Sequence, residues 1–365
     1  MSLTGIVLGG SGVLGTLICE QLRQVLGEEL WLRVGDRNPQ RGAATARQLG
    51  GQTTSTRVDA HSDTSLDQAL AGVDFALVAL NQPEPRIQRA CLRRGIPCID
   101  VTAKREFTQQ VRQLDSEAQA QKVSLLLGVG FLPGLSGLMV KYFSQNWDAV
   151  QSVDLGLLQN GNARVGRSGI LDMIGIIAAP VPDIHPPHDL IPGFLKTRSL
   201  GFGDLAPQQS VHLINHMEAQ ELRAFFPDFP VRYWTAWNRP LLNQGFRFLQ
   251  HLGWLPKLAT SPLMISLADQ IAQSHQPEQP ETAALSVEVQ GKIAGEARSR
   301  WGTLIVPSDY GITARAAGIL TKLVLENPTY GVHLPFECFD WEIVYQAGLG
   351  EGVQWMEGED RLECK

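Results

Sequence analysis

Three glycines recur at fixed spacing near the start of the chain, in Gly10-Ser11-Gly12-Val13-Leu14-Gly15. They follow the apolar run Ile6-Val7-Leu8. After them Leu17, Ile18, Leu22, Val25 and Leu26 continue one helical face with Val13 and Leu14. A strand, a glycine turn and a helix in this order can hold a phosphate anion. The first glycine permits the tight turn, the second lets the backbone approach a pyrophosphate, and the third lets helix and strand pack closely. The anion then meets the N–H groups and positive dipole end of the helix. Gly10, Ser11, Gly12, Val13 and Leu14 are therefore candidate contacts for a dinucleotide. A second apolar run, Leu30-Trp31-Leu32-Arg33-Val34, ends at Gly35-Asp36-Arg37. Asp36 can accept hydrogen bonds from ribose hydroxyls, which favours NAD, and Arg37 can attract the 2′-phosphate of NADP. The expected cofactor is NAD(P)(H), with the preference undetermined.

Further candidates follow from where strands end. Asp59, Leu80, Asn81, Thr102 and Gly130 each close or follow a predicted strand, at the edge where open α/β sheets bind ligands. They complete the cofactor-binding set, with the nicotinamide expected near Asn81, Thr102 and Gly130. Arg167 lies between glycines before a helix and is the candidate for a substrate carboxylate. Asp100, Tyr310 and His216 are candidate proton donors, and no residue is assigned as the catalytic acid or base. The short-chain dehydrogenase mechanism needs a lysine four residues after a tyrosine. Tyr142, Tyr233, Tyr310, Tyr330 and Tyr345 are followed there by Asn146, Trp237, Ala314, Leu334 and Leu349, so that mechanism is not expected. No metal site is expected either. His185 and His188 flank two prolines, and His212 and His216 lack the intervening glutamate of a zinc helix.

The elements needed to position these residues can be read in order. Strands over Thr53 to Val58, Phe75 to Leu80, Pro97 to Val101 and Val123 to Leu127 alternate with helices over Arg41 to Leu49, Ser65 to Leu70, Arg86 to Arg94 and Glu106 to Lys122. With the first two strands this is the rhythm of a doubly wound parallel (Rossmann) sheet. The glycine- and proline-rich segment Gly128 to Ser136 marks a boundary. Beyond it a second α/β domain, mixed sheet plus helices, is expected: strands over Val150 to Leu158, Leu285 to Gln290 and Glu296 to Leu304, and a helix from Arg167 to Ile177. Pro180 to Pro192 reads as loop. Residues 216–272 read as largely helical, with several aromatics, among them Phe225, Tyr233, Trp234, Phe248 and Trp254, that fill the second core or, in a second reading, face a membrane or partner. Tyr310 to Glu326 is an amphipathic helix. Domains are therefore expected at 1–133 and 134–308, with 309–365 packing back on the first.

Bulk properties set limits. The chain has 365 residues, 44% hydrophobic and 19% charged, which suits a globular protein of about two domains. A formal charge of −6 offers no basic field for nucleic acid. Five cysteines without a CxxC pair fit a reducing compartment, and no leader or spanning segment is visible, so a cytoplasmic location is expected.

The order of these pieces resembles the saccharopine dehydrogenase family in its shorter bacterial form. The resemblance covers most of the chain. It rests on the fingerprint, on Asp100-Val101-Thr102, and on Gly130-Phe131-Leu132-Pro133-Gly134-Leu135-Ser136. It rests also on Asp309-Tyr310-Gly311-Ile312-Thr313-Ala314, then Gly331-Val332 and Pro335-Phe336-Glu337. It implies an NAD(P)-dependent oxidoreductase that transfers hydride at a C–N bond of an amino-acid-derived small molecule, with the second domain binding substrate and supporting a homodimer. A non-catalytic NAD(P)-binding sensor or scaffold is the alternative.

Overall fold

The computed structural model describes residues 3–27, 29–183 and 189–361. The first stretch alternates strand and helix: β1 (Thr4–Leu8), α1 (Val13–Leu26), β2 (Trp31–Asp36), α2 (Pro39–Leu49), β3 (Thr53–Arg57), α3 (Asp63–Ala69), β4 (Phe75–Val78), α4 (Arg86–Arg94), β5 (Cys98–Asp100), α5 (Arg105–Arg112), α6 (Asp115–Gln121) and β6 (Ser124–Leu126). Next come α7 (Ser136–Phe143), β7 (Ala149–Gln159), α8 (Arg167–Ala178), the short hairpin β8 (Val181–Pro182) and β9 (Leu190–Ile191), β10 (Thr197–Phe202), β11 (Ala206–Ile214), α9 (Met217–Phe225) and β12 (Val231–Trp237). The chain ends through α10 (Pro240–His251), α11 (Leu255–Ala259), α12 (Pro262–Gln273), β13 (Ala283–Ile293), β14 (Glu296–Val306), α13 (Asp309–Glu326), β15 (Gly331–His333), α14 (Pro335–Cys338), α15 (Trp341–Val344) and β16 (Gln354–Arg361).

The contacts divide the chain into two compact units, Met1–Leu135 with Tyr310–Leu349, and Ser136–Asp309 with Gly350–Lys365. The first unit holds a seven-stranded sheet in the order β15-β6-β5-β4-β1-β2-β3, and every pairing in it is parallel. Sequential strands run outward in opposite directions from the β1/β4 pair, so the doubly wound Rossmann sheet reverses there. Ile6, Leu8, Ala76 and Val78 point to one face, where Leu66, Ile87, Cys91 and Phe107 meet them. The alternate residues Val7 and Leu77 are also fully buried, as strands covered on both faces require.

The C-terminal elements of this unit are tied in by specific bonds. Helix α13 packs on α1 at Gly318, where a Cβ would stand in ordinary contact, 3.4 Å from the Gln21 carbonyl oxygen. Val332 N donates to Asp115 Oδ1 (2.8 Å), and Arg112 donates to the Val332 carbonyl (2.8 Å) while pairing with Glu337 (3.0 Å). Glu337 also accepts from Leu334 N (2.6 Å), which accounts for the acid in Pro335-Phe336-Glu337. The single helix expected over Glu106 to Lys122 is instead two, α5 and α6, with the break at Gln113-Leu114.

The second unit holds a mixed sheet in the order β10-β11-β12-β7-β13-β14-β16, parallel only between β12 and β7. Three expectations are corrected here. Residues 216–272 are not all helix: Val231–Trp237 is the strand β12, and Tyr233, Trp234 and Thr235 are buried within it. Its β-branched and aromatic residues suit a strand covered on both faces. The register is locked by charge. Asp154 of β7, itself buried, accepts from Arg232 (2.8 and 2.7 Å) and Trp234 (2.7 Å) of β12 and pairs with Arg198 of β10. Next, part of the loop over Pro180 to Pro192 is the β8/β9 hairpin. Finally, the chain from Gly350 leaves the first unit, and β16 pairs antiparallel with β14. Its acids face arginines across the pair, Glu359 lying 2.7 Å from Arg300 and 3.6 Å from Arg298. Strands β10 and β11 fall where the sequence analysis places no element.

Candidate functional site

The glycine turn joins β1 to α1 at the sheet reversal. Gly9 takes φ +82°, and Gly9 N and Gly10 N both donate to the Gly35 carbonyl (2.8 and 3.2 Å). Gly12 N donates back to Gly9 O (3.0 Å), closing the turn. Each glycine has its own reason. A Cβ on Gly10 would lie 2.9 Å from the Val7 carbonyl oxygen, and one on Gly15 would lie 2.2 Å from the Gly9 oxygen and 2.8 Å from Gly10 Cα. A Cβ on Gly12 would meet only the Gly9 oxygen, at 3.2 Å, so that glycine keeps an outer face clear. Gly15→Ala is accordingly expected to destabilise the first unit by about 2 kcal/mol, the scale of an overpacked core. Urea unfolding checks this, and an unchanged midpoint would contradict the close approach.

Helix α1 begins at Gly12 with no side-chain cap and no acid in its first turn. Helix α2, by contrast, is capped by Asn38, whose side chain accepts from Gln40 N and Arg41 N. The first-turn N–H groups of α1 have no intrahelical acceptor. Gly10 N and Gly12 N are used within the turn, so the backbone N–H groups of Ser11, Val13 and Leu14 form an uncapped donor cradle at the start of a 14-residue helix.

Asp36 ends β2 beside this cradle. Its carboxylate accepts from the Ser11 hydroxyl and from Asn38 N (2.8 Å). Arg41, which sequence reasoning missed, donates to the Ser11 carbonyl (3.0 Å) from an exposed position. It occupies the third position of α2, one turn after Arg37, and that spacing was the available signal. Arg37 is exposed and within electrostatic reach of Asp59. The His61 backbone N–H (3.0 Å) is the main reason the Asp59 carboxyl titrates below its ordinary value.

The other candidates lie along the same sheet edge. Leu80 and Asn81 follow β4, and Gly9 packs so close that a Cβ there would be 2.7 Å from Ala79 O and 3.1 Å from Leu80 Cβ. Thr102 follows β5 and is buried, and Gly130 follows β6, where Val129 N donates to Asp100 O (3.1 Å). Gly130 also abuts Thr313, which accepts from Phe131 N (3.1 Å). The structure thus brings the cradle, Leu80-Asn81, Thr102 and Gly130 to the carboxyl ends of neighbouring parallel strands.

Between β4 and β5 lies a buried polar cluster that the sequence showed only in part. Asp100 is fully buried and accepts from Gln88 Nε2 (2.6 Å), Gln82 Nε2 (3.3 Å) and Thr102 N (2.7 Å). Gln82 Oε1, Gln88 Oε1 and Thr102 Oγ1 are buried around it without hydrogen-bond partners. Burial pushes the Asp100 carboxyl up to about 6, against these hydrogen bonds. Gln88 faces inward from α4 with Ile87 and Cys91.

The remaining candidates have structural occupations. His216 caps α9 by accepting from Glu218 N (3.3 Å) and stacks on Tyr233 at 5.2 Å; burial lowers it to about 3, so it is neutral. Glu218 accepts from Tyr233 (2.7 Å) and from Ser136, all of them buried. His212 stacks on Phe194 and bonds its carbonyl. His185 and His188 lie outside the described residues. Tyr310 is half-buried in the first turn of α13. Arg167 opens α8 at the surface, with its guanidinium 3.4 Å from Asp269. Burial raises the Cys19 thiol, and the hydrogen bond with Cys91 together with burial raises that of Cys98.

Comparison with solved structures places this architecture. Saccharopine dehydrogenase (L-Glu forming) from Saccharomyces cerevisiae superposes with a TM-score of 0.68 over 98% of this chain and 100% of its own, at 11% identity. This chain has the fold of saccharopine dehydrogenase. Looser matches are the DAP dehydrogenase of C. glutamicum in complex with DAP (TM-score 0.48, 11% identity, 92% and 93% covered) and GenD2 from gentamicin A biosynthesis in complex with NAD (0.45, 15%, 98% and 96%). At those scores they add nothing to the argument. No protein-family model matches the chain.

Proposed function

We propose that this chain is an NAD(P)-dependent oxidoreductase of the saccharopine dehydrogenase type, acting at a C–N bond of an amino-acid-derived substrate. The observation that carries the reading is the uncapped glycine cradle at the sheet reversal, in a chain whose whole length follows the yeast enzyme's fold. The residues fit a dinucleotide. Ser11, Val13 and Leu14 offer backbone N–H groups to a pyrophosphate, Gly10 shapes the turn beneath it, and the clear face of Gly12 admits it. Asp36 accepts from the adenosine ribose in place of the Ser11 hydroxyl, and Arg37 and Arg41 stand where a 2′-phosphate would be drawn. Leu80, Asn81, Thr102 and Gly130 border the nicotinamide end. When bound, the nicotinamide supplies two-electron hydride exchange, and the protein positions the partners and keeps water out.

Cofactor choice turns on Asp36. Its carboxylate repels a 2′-phosphate while Arg37 and Arg41 attract one, so both cofactors are expected to bind. Asp36→Ala is expected to shift the ratio of dissociation constants toward NADP(H) by about 1.5 kcal/mol, roughly tenfold. Measuring both constants in both proteins decides it, and a shift toward NAD(H) would count against Asp36 as the ribose contact.

Turnover is tested by following oxidation of NADH and NADPH across a panel of oxo-acid and amine pairs. Consumption with at least one pair is the expected result. Cofactor binding with no turnover across the panel would favour the sensor or scaffold alternative.

A further inference from the structure

Helices α10 and α12 of the second unit leave several large apolar side chains exposed. In α10 the buried residues are Asn243 and Gln250. Asn243 clasps the Trp237 backbone through both its amide atoms (2.9 and 2.8 Å), and Gln250 reaches the Ala178 carbonyl (3.5 Å). Phe246 packs inward against Phe194 and Trp237, whereas Leu241 is 82% exposed and Phe248 62%. Trp254, between the helices, is 57% exposed. Helix α12 buries only Met264 and Ala268 and turns Leu263 (68%), Ile265 and Ile271 out. Solvated helices of globular proteins show the opposite pattern, and apolar faces of this extent mark interaction surfaces.

Charge identifies the partner. Between Pro240 and Gln273 the only charged residues are Arg247, Lys257 and Asp269, and Asp269 is paired with Arg167 (3.4 Å). Counting Arg167, this face is net positive on a chain of formal charge −6. Beside α10 lies an open groove of about 430 Å³, lined by Leu195, Gln244, Arg247, Phe248 and His251. It puts an arginine and a histidine next to a phenylalanine, a combination suited to a phosphate headgroup above an acyl chain. Outward leucines, an interfacial tryptophan and long basic side chains are the composition of helices that lie in a bilayer surface. No helix among the described residues is long and apolar enough to cross a membrane.

We infer that α10 to α12 form a peripheral membrane-binding face that docks the protein on anionic lipid. The test is co-sedimentation of the full chain with vesicles of phosphatidylcholine alone and with a quarter phosphatidylglycerol, at low and high salt. The expected result is binding to the anionic vesicles that weakens with salt. Phe248→Glu/Leu263→Glu and Arg247→Glu/Lys257→Glu should each reduce the bound fraction at least tenfold without lowering the Tm. Failure of the unaltered chain to bind anionic vesicles would overturn the inference, as would apolar-face variants that bind equally well. Size measurement in solution separates lipid from a second copy. A dimer that Phe248→Glu/Leu263→Glu converts to monomer would assign the face to a second copy and overturn the inference.

Discussion

Gly12→Val is expected to weaken NADH and NADPH binding at least a hundred-fold, about 2.8 kcal/mol or more, while the protein stays folded. Gly12 has φ −73°, which any L-residue adopts, and a Cβ there meets only the Gly9 oxygen at 3.2 Å. The fold therefore tolerates a side chain at this position with a shift of a few tenths of an ångström. The branched side chain, however, stands over the first-turn N–H groups of α1, the donors that a pyrophosphate needs. Titration by quenching of protein fluorescence, with circular dichroism to verify folding, reads the result. Unchanged affinity in a folded variant would falsify the assignment of the loop.

Asp100 is expected to make stability pH-dependent by about 3 kcal/mol. Burial raises its carboxyl from an ordinary 3.8 to about 6, a shift of about two units at 1.36 kcal/mol each. A raised carboxyl binds its proton more tightly in the folded state than in the unfolded one. Its contribution is therefore fully present below about pH 4 and is lost as pH rises through about 6. In Asp100→Asn the amide oxygen can still accept from Thr102 N, and its N–H can donate to an orphaned glutamine oxygen. The stability of the natural chain relative to this variant should fall by about 3 kcal/mol between pH 4 and pH 8 in urea unfolding. A difference that stays flat with pH would mean that Asp100 does not titrate as a buried, desolvated acid.

The first sheet was legible because each of its inner strands is covered on both faces. Phe75 to Leu80 is a continuous apolar run and Val123 to Leu127 is broken only by Ser124, and the residues that follow them fall at the ligand edge by topology alone. The glycine fingerprint was readable for a similar reason, since each glycine answers a local steric demand. What escaped depends on distant partners. Strand β12 carries Arg232 in its interior, and the charge makes sense only beside Asp154, 78 residues earlier. β16 is an acidic edge strand whose partners, Arg298 and Arg300, lie on β14. The Asp100 cluster draws Gln82 and Gln88 from two different elements. The aromatics of 216–272 divide between the two readings: Tyr233 and Trp234 fill the strand core, and Phe248 and Trp254 face out.

The central claim is that the Gly10 to Leu14 cradle holds a nicotinamide dinucleotide. Direct titration of the purified chain with NADH and NADPH by fluorescence energy transfer from protein tryptophan tests it most directly. Saturable binding of one dinucleotide per chain, displaced by the oxidised form, is the expected result. Absence of saturable binding of either cofactor to the folded protein would contradict it.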